Sequence, residues 1–195
     1  MAISAQQIKE LRATTGAGVS DVKKALEESG GDREKATQWL ERKLGSLAGK
    51  REGRATGAGI VEAYVHSNNR IGVLAELFCE TDFVARNPEF KALAHDITLH
   101  IAAMKPLYPS LDAVPKDVWD TEKSRFETEV NAMGKPANIA IEIVNGKLKA
   151  YFGAVALLSQ SFVKDQDKTV GEIVNEAVGK FGENIKIGRF SRFEL

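Results

Sequence analysis

Apolar residues near the start of the chain recur three and four positions apart, the spacing of one face of a helix. The first such segment follows Ser4 and Gln7, which fit a capping box in which each side chain accepts a hydrogen bond from an unpaired backbone N–H. Thr15–Gly18 contains two glycines, which disfavour continuation of that helix. The pattern predicts three short helices, with Ser20 and Asp32 as the N-caps of the second and third.

Glycine becomes frequent between Gly45 and Gly59, and no periodic apolar face remains there. This composition is typical of a flexible or partly helical linker. The run Lys50–Arg54 could bind nucleic acid. It contains Glu52 and no interleaved aromatic residue, however, which favours a solvated linker.

The pattern changes to that of β-strands after the linker. β-Branched and aliphatic residues dominate Ile60–Val65 and Ile71–Cys79. Asn68 and Asn69 lie between these segments and tolerate a positive φ, so we predict a β-hairpin. Apolar and polar residues alternate again in Ile185–Phe193, which predicts a half-buried strand near the end of the chain.

Helical spacing returns between these strands. Asn87 followed by Pro88 fits an N-cap with proline at the first helical position, and Pro106 should end the helix. Its predicted buried face consists of Phe90, Leu93, Ala94, Ile97, Ile101 and Met104. Further helices are predicted from about Lys116 to Ala132, from Pro136 to about Leu158 with an interruption at Gly146, and from Thr169.

Two strands, a series of helices and a closing strand indicate an α+β fold with a small antiparallel sheet packed by helices. The change of pattern divides the chain into a three-helix domain at 1–45, a linker at 46–58 and an α+β core at 59–195. A length of 195 residues is sufficient for one medium domain and a small additional module.

Composition narrows the classes of function. Lys plus Arg and Asp plus Glu both number 27, so no overall field favours nucleic acid or a membrane surface. No apolar stretch approaches the roughly 20 residues needed to span a bilayer. The N-terminus lacks the basic start and apolar run of a signal peptide. We therefore expect a cytoplasmic protein without a direct nucleic-acid or membrane partner.

No catalytic motif is apparent. Glycine-rich phosphate loops are absent from the sequence. His95 and His100 are five positions apart, the wrong spacing for a shared metal face on a helix. Cys79 is the single cysteine, which excludes an intramolecular disulfide, and a small buried hydrophobe is its expected role. We expect no enzyme activity, no cofactor and no metal site.

The segment Glu80–Arg86, between a predicted strand and a predicted helix, contains a large aromatic residue beside an aspartate. In one explanation Phe83 folds back to fill the core while Asp82 caps the local turn. In the other, Phe83 projects as a wedge for an apolar pocket of a partner, because loops on rigid scaffolds often carry function. The residues alone leave both explanations open.

Several short stretches of the chain form a recognisable set. They are Lys9–Arg12, Thr15–Val19, Asp21–Glu27, Cys79–Arg86, Ser161–Asp165, Gly182–Ile185, Arg189–Phe190 and Arg192–Leu195. In this order and at this spacing, they resemble the bacterial elongation factor Ts family over essentially the whole chain.

The resemblance implies a ubiquitin-associated-like first domain and a guanine-nucleotide exchange factor without an active site of its own. Such a factor binds the GDP-bound GTPase elongation factor Tu, disturbs its magnesium site and promotes GDP release. The residues implied to act at the magnesium site are Thr81, Asp82, Phe83 and Val84. Those implied to dock the N-terminal domain on the GTPase are Leu11, Arg12, Gly16, Gly18, Val19 and Lys23.

The chain is short for this family and resembles its compact members, which have one copy of the core subdomain. The resemblance therefore implies a homodimer in a two-plus-two complex with the GTPase, and the alternating C-terminal strand is the expected dimer edge. Glycines in Leu47–Arg54 replace the helical run that is common in the family, which predicts a more flexible linker.

Two other functions compete with this interpretation. A ubiquitin-associated-like adaptor would bind another protein through Thr15–Val19, and residues 1–54 alone would then keep full affinity. An RNA-associated translation protein would use Lys50–Arg54, and its RNA binding would weaken steeply with salt. The exchange-factor hypothesis instead requires Phe83.

Overall fold

The computed structural model describes residues 3–195, apart from the side chains of residues 44, 47 and 48. The chain divides into two compact units, each assembled from separate stretches of sequence. The first unit extends to Val61 and includes Glu76–Ala94 and Glu172–Ile187; the second comprises Glu62–Ala75, His95–Gly171 and Gly188–Leu195.

The chain begins with the three predicted helices: α1 (Ala5–Thr15), α2 (Val19–Glu28) and α3 (Arg33–Arg51). The capping box of α1 is confirmed, since Ser4 Oγ accepts from the N–H of Gln7 at 3.2 Å and Gln7 Oε1 accepts from the N–H of Ser4 at 2.9 Å. The N-cap of α3 is also confirmed, because Asp32 Oδ1 accepts from the N–H of Lys35 at 3.1 Å.

One prediction for this region needs correction. Ser20 does not cap α2, because the helix starts at Val19, two residues earlier than a Ser20 cap would allow. The N-cap is Gly18, which has extended backbone (φ −62°, ψ 147°) and no side chain to form a cap bond. α3 continues to Arg51, so the first part of the predicted linker 46–58 is helical, as the partly helical interpretation allows. The glycines at 45 and 49 do not end the helix.

The three helices enclose a small core, in which partly buried Ile3, Ile8 and Trp39 pack against fully buried residues. This arrangement explains why a segment of modest helix propensity is ordered, since packing rather than propensity stabilises most protein helices. The buried members are Leu11, Ala17, Val22, Ala25, Leu26, Ala36 and Leu40.

The predicted hairpin is confirmed as β1 (Ala58–Val65) and β2 (Ile71–Cys79). Its turn is closed by a hydrogen bond of 2.9 Å from the N–H of His66 to the carbonyl of Ile71. Asn69 has a positive φ of 55°, which supports the use of asparagine in this turn.

Four helices follow the hairpin: α4 (Asp82–Ala85), α5 (Pro88–Met104), α6 (Lys116–Asn131) and α7 (Ala137–Val155). Asn87 caps α5 as predicted, since its Oδ1 accepts from the N–H of Glu89 at 2.9 Å. Met104 does not belong to the buried face of α5, because it is the last helical residue and is 45% exposed. Gly146 does not interrupt α7, since Val144 and Leu148 on either side of it are buried.

The chain ends with β3 (Ser161–Phe162), β4 (Asp165–Thr169), α8 (Val170–Phe181) and β5 (Lys186–Glu194). The β3–β4 hairpin was not predicted. β2 lies between β1 and β5 in the three-stranded sheet, so β5 is an edge strand and the α+β prediction is confirmed. Across the described residues, none of the helices is long and apolar enough to cross a membrane.

The second unit has its own apolar cluster between α6 and α7. Trp119 stacks on Phe152 with ring centroids 4.4 Å apart, and Tyr151 meets Phe152 edge to face at 5.1 Å. The fully enclosed members of the cluster include Val130, Leu148 and Phe152. This cluster packs α6 against α7, which are joined by the loop at 132–136.

Candidate functional site

The segment after β2 turns at once into α4, the four-residue helix that carries Phe83. Thr81 is its N-cap, with extended backbone (φ −130°, ψ 154°) and an Oγ1 that accepts from the N–H of Val84 at 3.5 Å. Asp82 is therefore not the capping residue. It occupies the first turn, and its exposed carboxylate accepts from Arg86 Nη2 at 3.1 Å.

Phe83 is 84% exposed, whereas Val84 and Ala85 are 4% and 5% exposed. The explanation in which Phe83 fills the core is therefore wrong for this structure. A single helical turn directs residues 82 and 83 outward and residues 84 and 85 inward, so the two small aliphatic side chains anchor the turn. Val84 is buried among the protein's own residues, and the surface of the turn consists of Thr81, Asp82 and Phe83.

Two carboxylates, those of the adjacent Glu80 and the distant Glu183, form hydrogen bonds at the start of this turn. Glu183 accepts hydrogen bonds from the backbone N–H groups of Glu80 and Thr81, each at 3.0 Å, and from Thr81 Oγ1 at 2.6 Å. The hydrogen bond from the Asn184 N–H to Glu80 lowers the pKa of the Glu80 carboxyl, with Arg54 acting in the same direction. The Glu80 carboxylate therefore acts as a hydrogen-bond acceptor at neutral pH.

Cys79 lies directly beneath the same turn and is completely buried. Burial raises the pKa of its thiol, and the Sγ–H group donates to the carbonyl of Thr81 at 3.2 Å. The expected role of Cys79 as a small buried side chain is confirmed, and its thiol also contacts the backbone of the turn.

The predicted docking residues of the N-terminal domain differ in accessibility. Leu11 is 1% exposed and belongs to the three-helix core, so it supports the surface without forming part of it. Val19 is 50% exposed at the first position of α2. Lys23 follows one turn later, exposed and 3.8 Å from Glu27. Arg12 and Gly18 are exposed as well, and Gly16 is half-buried.

Gly16 lies where the N-terminal helices approach α8. Its φ of +67° is in the left-handed region, and a Cβ added there would be 3.0 Å from Lys180 Cδ. Lys180 in turn donates to Glu89 in the first turn of α5 at 2.8 Å. Glycine at this position therefore permits both the backbone conformation and the close approach.

Glu183 and Asn184 are site residues that the sequence analysis did not assign. They belong to Gly182–Ile185, one of the stretches on which the family resemblance rests, but no residue pattern linked this stretch to Thr81. The two segments lie about a hundred residues apart in sequence and meet only through the fold. The sole available signal was a Glu-Asn pair just before a predicted strand.

The exposed groups of this turn form a candidate surface for contact with another protein. An aromatic ring and a carboxylate project from a turn whose backbone is held on its inner side, and pocket-lining Arg86, Asn87 and Pro88 form a shallow hollow beside Phe83. Among the residues that the structure describes, no group of three or more His, Cys, Asp or Glu side chains is arranged to hold a metal ion.

Comparison with known proteins agrees with this class. The family described as Elongation factor TS matches residues 6–195. The chain is 50% identical over 195 residues to Elongation factor Ts of Thermotoga petrophila, covering all of this chain and 97% of the relative. It is also 50% identical to Elongation factor Ts of Rubrobacter xylanophilus, with both chains covered completely, and 49% identical to that of Leptospira biflexa, 98% of which is covered.

These matches extend over the whole chain at high identity. The chain therefore belongs to the elongation factor Ts family. Membership supports a role in protein biosynthesis, as an exchange factor of translation elongation.

Proposed function

We propose that this protein binds GDP-bound elongation factor Tu, disturbs its magnesium site and promotes GDP release. The observation that carries the proposal is the 84% exposure of Phe83 on a turn that is anchored from beneath, in a member of the elongation factor Ts family. An aromatic side chain held in water at this position is suited to insertion into an apolar pocket of a partner. The protein itself contributes no catalytic group to the reaction.

In this proposal one surface docks on the GTPase and a second surface disturbs its magnesium site. Residues 1–45 form the docking domain, with Val19 and Lys23 exposed at the start of α2, and 46–58 connect it to the core at 59–195. The exposed Phe83, which belongs to the domain at 59–195, enters an apolar pocket between helices of the GTPase. Asp82 brings a carboxylate, whose charge competes with the polar groups that hold Mg²⁺ and GDP.

Thermodynamic linkage explains how binding causes release. A partner that binds the nucleotide-free GTPase more tightly than the GDP form lowers GDP affinity by the same factor. A hundredfold decrease in affinity requires about 2.7 kcal/mol of differential binding. Burial of one Phe side chain contributes roughly 1.5–3 kcal/mol, so a single inserted ring has the necessary size.

The protein acts as a homodimer in this proposal, in a complex of two copies with two GTPase molecules. Val65, Leu74 and Phe193, on the three strands of the sheet, are 65%, 48% and 69% exposed. The neighbouring Arg192 donates to the carbonyl of Ala102 in α5, so Phe193 points away from that helix. An apolar sheet face of this kind is suited to burial against a second copy.

Release of a fluorescent GDP analogue from elongation factor Tu tests the exchange function. Wild-type protein is expected to accelerate release strongly, and Phe83→Ala to lose most of the acceleration, by roughly tenfold or more given the size of the buried side chain. Because Phe83 is exposed, the variant should keep the wild-type melting temperature.

Leu107→Ala is the matched control, since Leu107 is a 62% exposed apolar residue of the second unit. This variant should exchange like the wild type. A wild-type protein that leaves GDP release unchanged would contradict the exchange function. Equal acceleration by wild type and Phe83→Ala would keep the function but reject Phe83 as the inserted residue.

A further inference from the structure

Glu183 lies in the loop between α8 and β5, and its carboxylate accepts three hydrogen bonds from the start of the turn that carries Phe83. One oxygen accepts from the N–H groups of Glu80 and Thr81, both at 3.0 Å. The other accepts from the Thr81 hydroxyl at 2.6 Å. Three hydrogen bonds to one charged group form a strong and directional connection, since bonds to ionised acceptors are about twice as strong as neutral ones.

The Thr81 hydroxyl links this carboxylate to the orientation of α4. The hydroxyl donates a hydrogen bond to Glu183, so its oxygen lone pairs remain free to accept from the N–H of Val84. This second bond is the N-cap bond of α4. An isolated helix of four residues is far below the length that is stable in water. The direction of α4 must therefore be imposed by its surroundings, through Val84 and Ala85 on the inner side and Glu183 at the start.

A reciprocal set of bonds fixes Glu183 itself. The N–H of Asn184 donates to the Glu80 carboxylate at 2.7 Å, so the segments 80–81 and 183–184 each bond the backbone of the other. The side-chain amide of Asn184, which is 3% exposed, donates to the carbonyls of Glu52 and Arg54 at 3.1 and 2.7 Å. The chain that follows α3 is thereby tied to the same junction.

We propose that Glu183 is the positioning residue of the exchange site. It holds Thr81 so that α4 presents Phe83 to the GTPase, and it does not contact the partner itself. The inference rests on the proposed exchange function. Without the hydrogen bonds of Glu183 the turn would be flexible and would have to be ordered on binding. Their removal therefore lowers the binding free energy that is gained from inserting Phe83.

Glu183→Ala removes all three bonds and is expected to lower the maximal rate of GDP release by about tenfold, the effect of losing hydrogen bonds to a charged group. The concentration for half-maximal rate should change little, about twofold at most, because the docking surface of residues 1–45 is untouched. Glu183→Gln keeps one acceptor oxygen for the two backbone N–H groups and should recover most of the rate.

A double-mutant cycle with Phe83→Ala separates positioning from a general structural role. If Glu183 acts through Phe83, then removing Glu183 from the Phe83→Ala variant slows release no further. Fully additive losses would overturn the proposal, as would wild-type rates for Glu183→Ala. Glu142→Ala is the matched control, because Glu142 is an exposed carboxylate on α7, and this variant should behave as wild type.

Amide hydrogen exchange provides a readout that does not depend on GDP release. The N–H groups of Glu80, Thr81 and Val84 should exchange faster in Glu183→Ala, while those of α5 keep their wild-type protection. Unchanged protection at Glu80 and Thr81 would reject the positioning role even if activity fell. A wild-type protein that does not accelerate GDP release would reject the exchange function, and hydrogen exchange would still decide whether Glu183 orders the turn.

Discussion

His100 on α5 is completely buried, and both of its ring nitrogens are hydrogen-bonded. Nδ1 accepts from the N–H of Val163 at 3.1 Å, which makes Nε2 the donor to Gln160 Oε1 at 3.0 Å. Gln160 in turn donates to the carbonyls of Ala154 and Met104 at 2.7 and 3.3 Å. A neutral imidazole satisfies this network, whereas protonation would place a second N–H group opposite that of Val163.

We therefore predict a pH dependence of stability from His100. Burial lowers its pKa from the ordinary value of 6.5, so the unfolded chain gains a proton before the folded protein does. The free energy of unfolding should be constant above about pH 6.5 and should fall as the pH decreases towards the folded-state pKa. Urea unfolding between pH 5 and 8 measures this change. His95→Gln should keep the dependence and His100→Gln should remove it; an unchanged slope in His100→Gln would contradict the assignment.

Single residues of the site could be predicted only in part. The motif around Phe83 indicated a candidate site, but general packing considerations favoured a buried Phe83, and the structure shows it exposed. The choice depends on Val84 and Ala85, which are small enough to fill the inner side of the turn by themselves. Leu11 was implied to be a contact residue, but its position on the helix faces the three-helix core, where it is buried.

At the scale of elements, Gly146 provides a test of how α7 is stabilised. Gly146 is exposed in the middle of the helix, and an added Cβ would have no neighbour within 4 Å. Gly146→Ala should therefore raise the free energy of unfolding by about 0.5–1 kcal/mol, because alanine loses less backbone entropy on folding. Gly16→Ala is the contrasting variant and should lower stability by about 1 kcal/mol or more, since Gly16 has a φ of +67° beside Lys180. Chemical denaturation measures both, and destabilisation by Gly146→Ala would show that α7 requires glycine there.

Elements with a local signal were predicted well. The capping box at Ser4, the Asn87–Pro88 start and the hairpin at Asn69 each depend on neighbouring residues, and each is present. Elements decided by packing were predicted less well. Gly146 remains helical because α7 is clamped through Val144 and Leu148, a constraint that composition does not reveal. The two-residue strand at Ser161–Phe162 is too short to carry a periodic pattern.

At the scale of the whole molecule, the exposed sheet face leads to a prediction about oligomeric state. Phe193→Asp places a charge among Val65 and Leu74, where burial against a second copy would be costly. Sedimentation equilibrium of the wild type should give about twice the mass of one chain, and the variant should give the 21.3 kDa of a single chain. Leu107→Asp, outside the sheet, serves as the control and should remain dimeric. A monomeric wild type at all concentrations would contradict the proposed dimer.

The overall class was predictable because periodicity reports which faces are buried. The α+β assignment needed only the order of helical and alternating segments. The junction of Glu183 with Thr81 was not predictable, since it joins segments whose local patterns are independent. Long-range polar contacts of this kind depend on the final packing, and they hold the backbone of the candidate site.

The strand order also has a consequence for synthesis of the protein. β2 is the central strand, yet one of its two neighbours, β5, is translated only after α4 to α8. At about 5–20 residues per second, the nascent chain carries β2 with one unpaired edge for on the order of ten seconds. During that interval the unpaired edge of the apolar strand β2 can pair with other chains. The risk of aggregation is therefore greatest before Lys186–Glu194 has been synthesised.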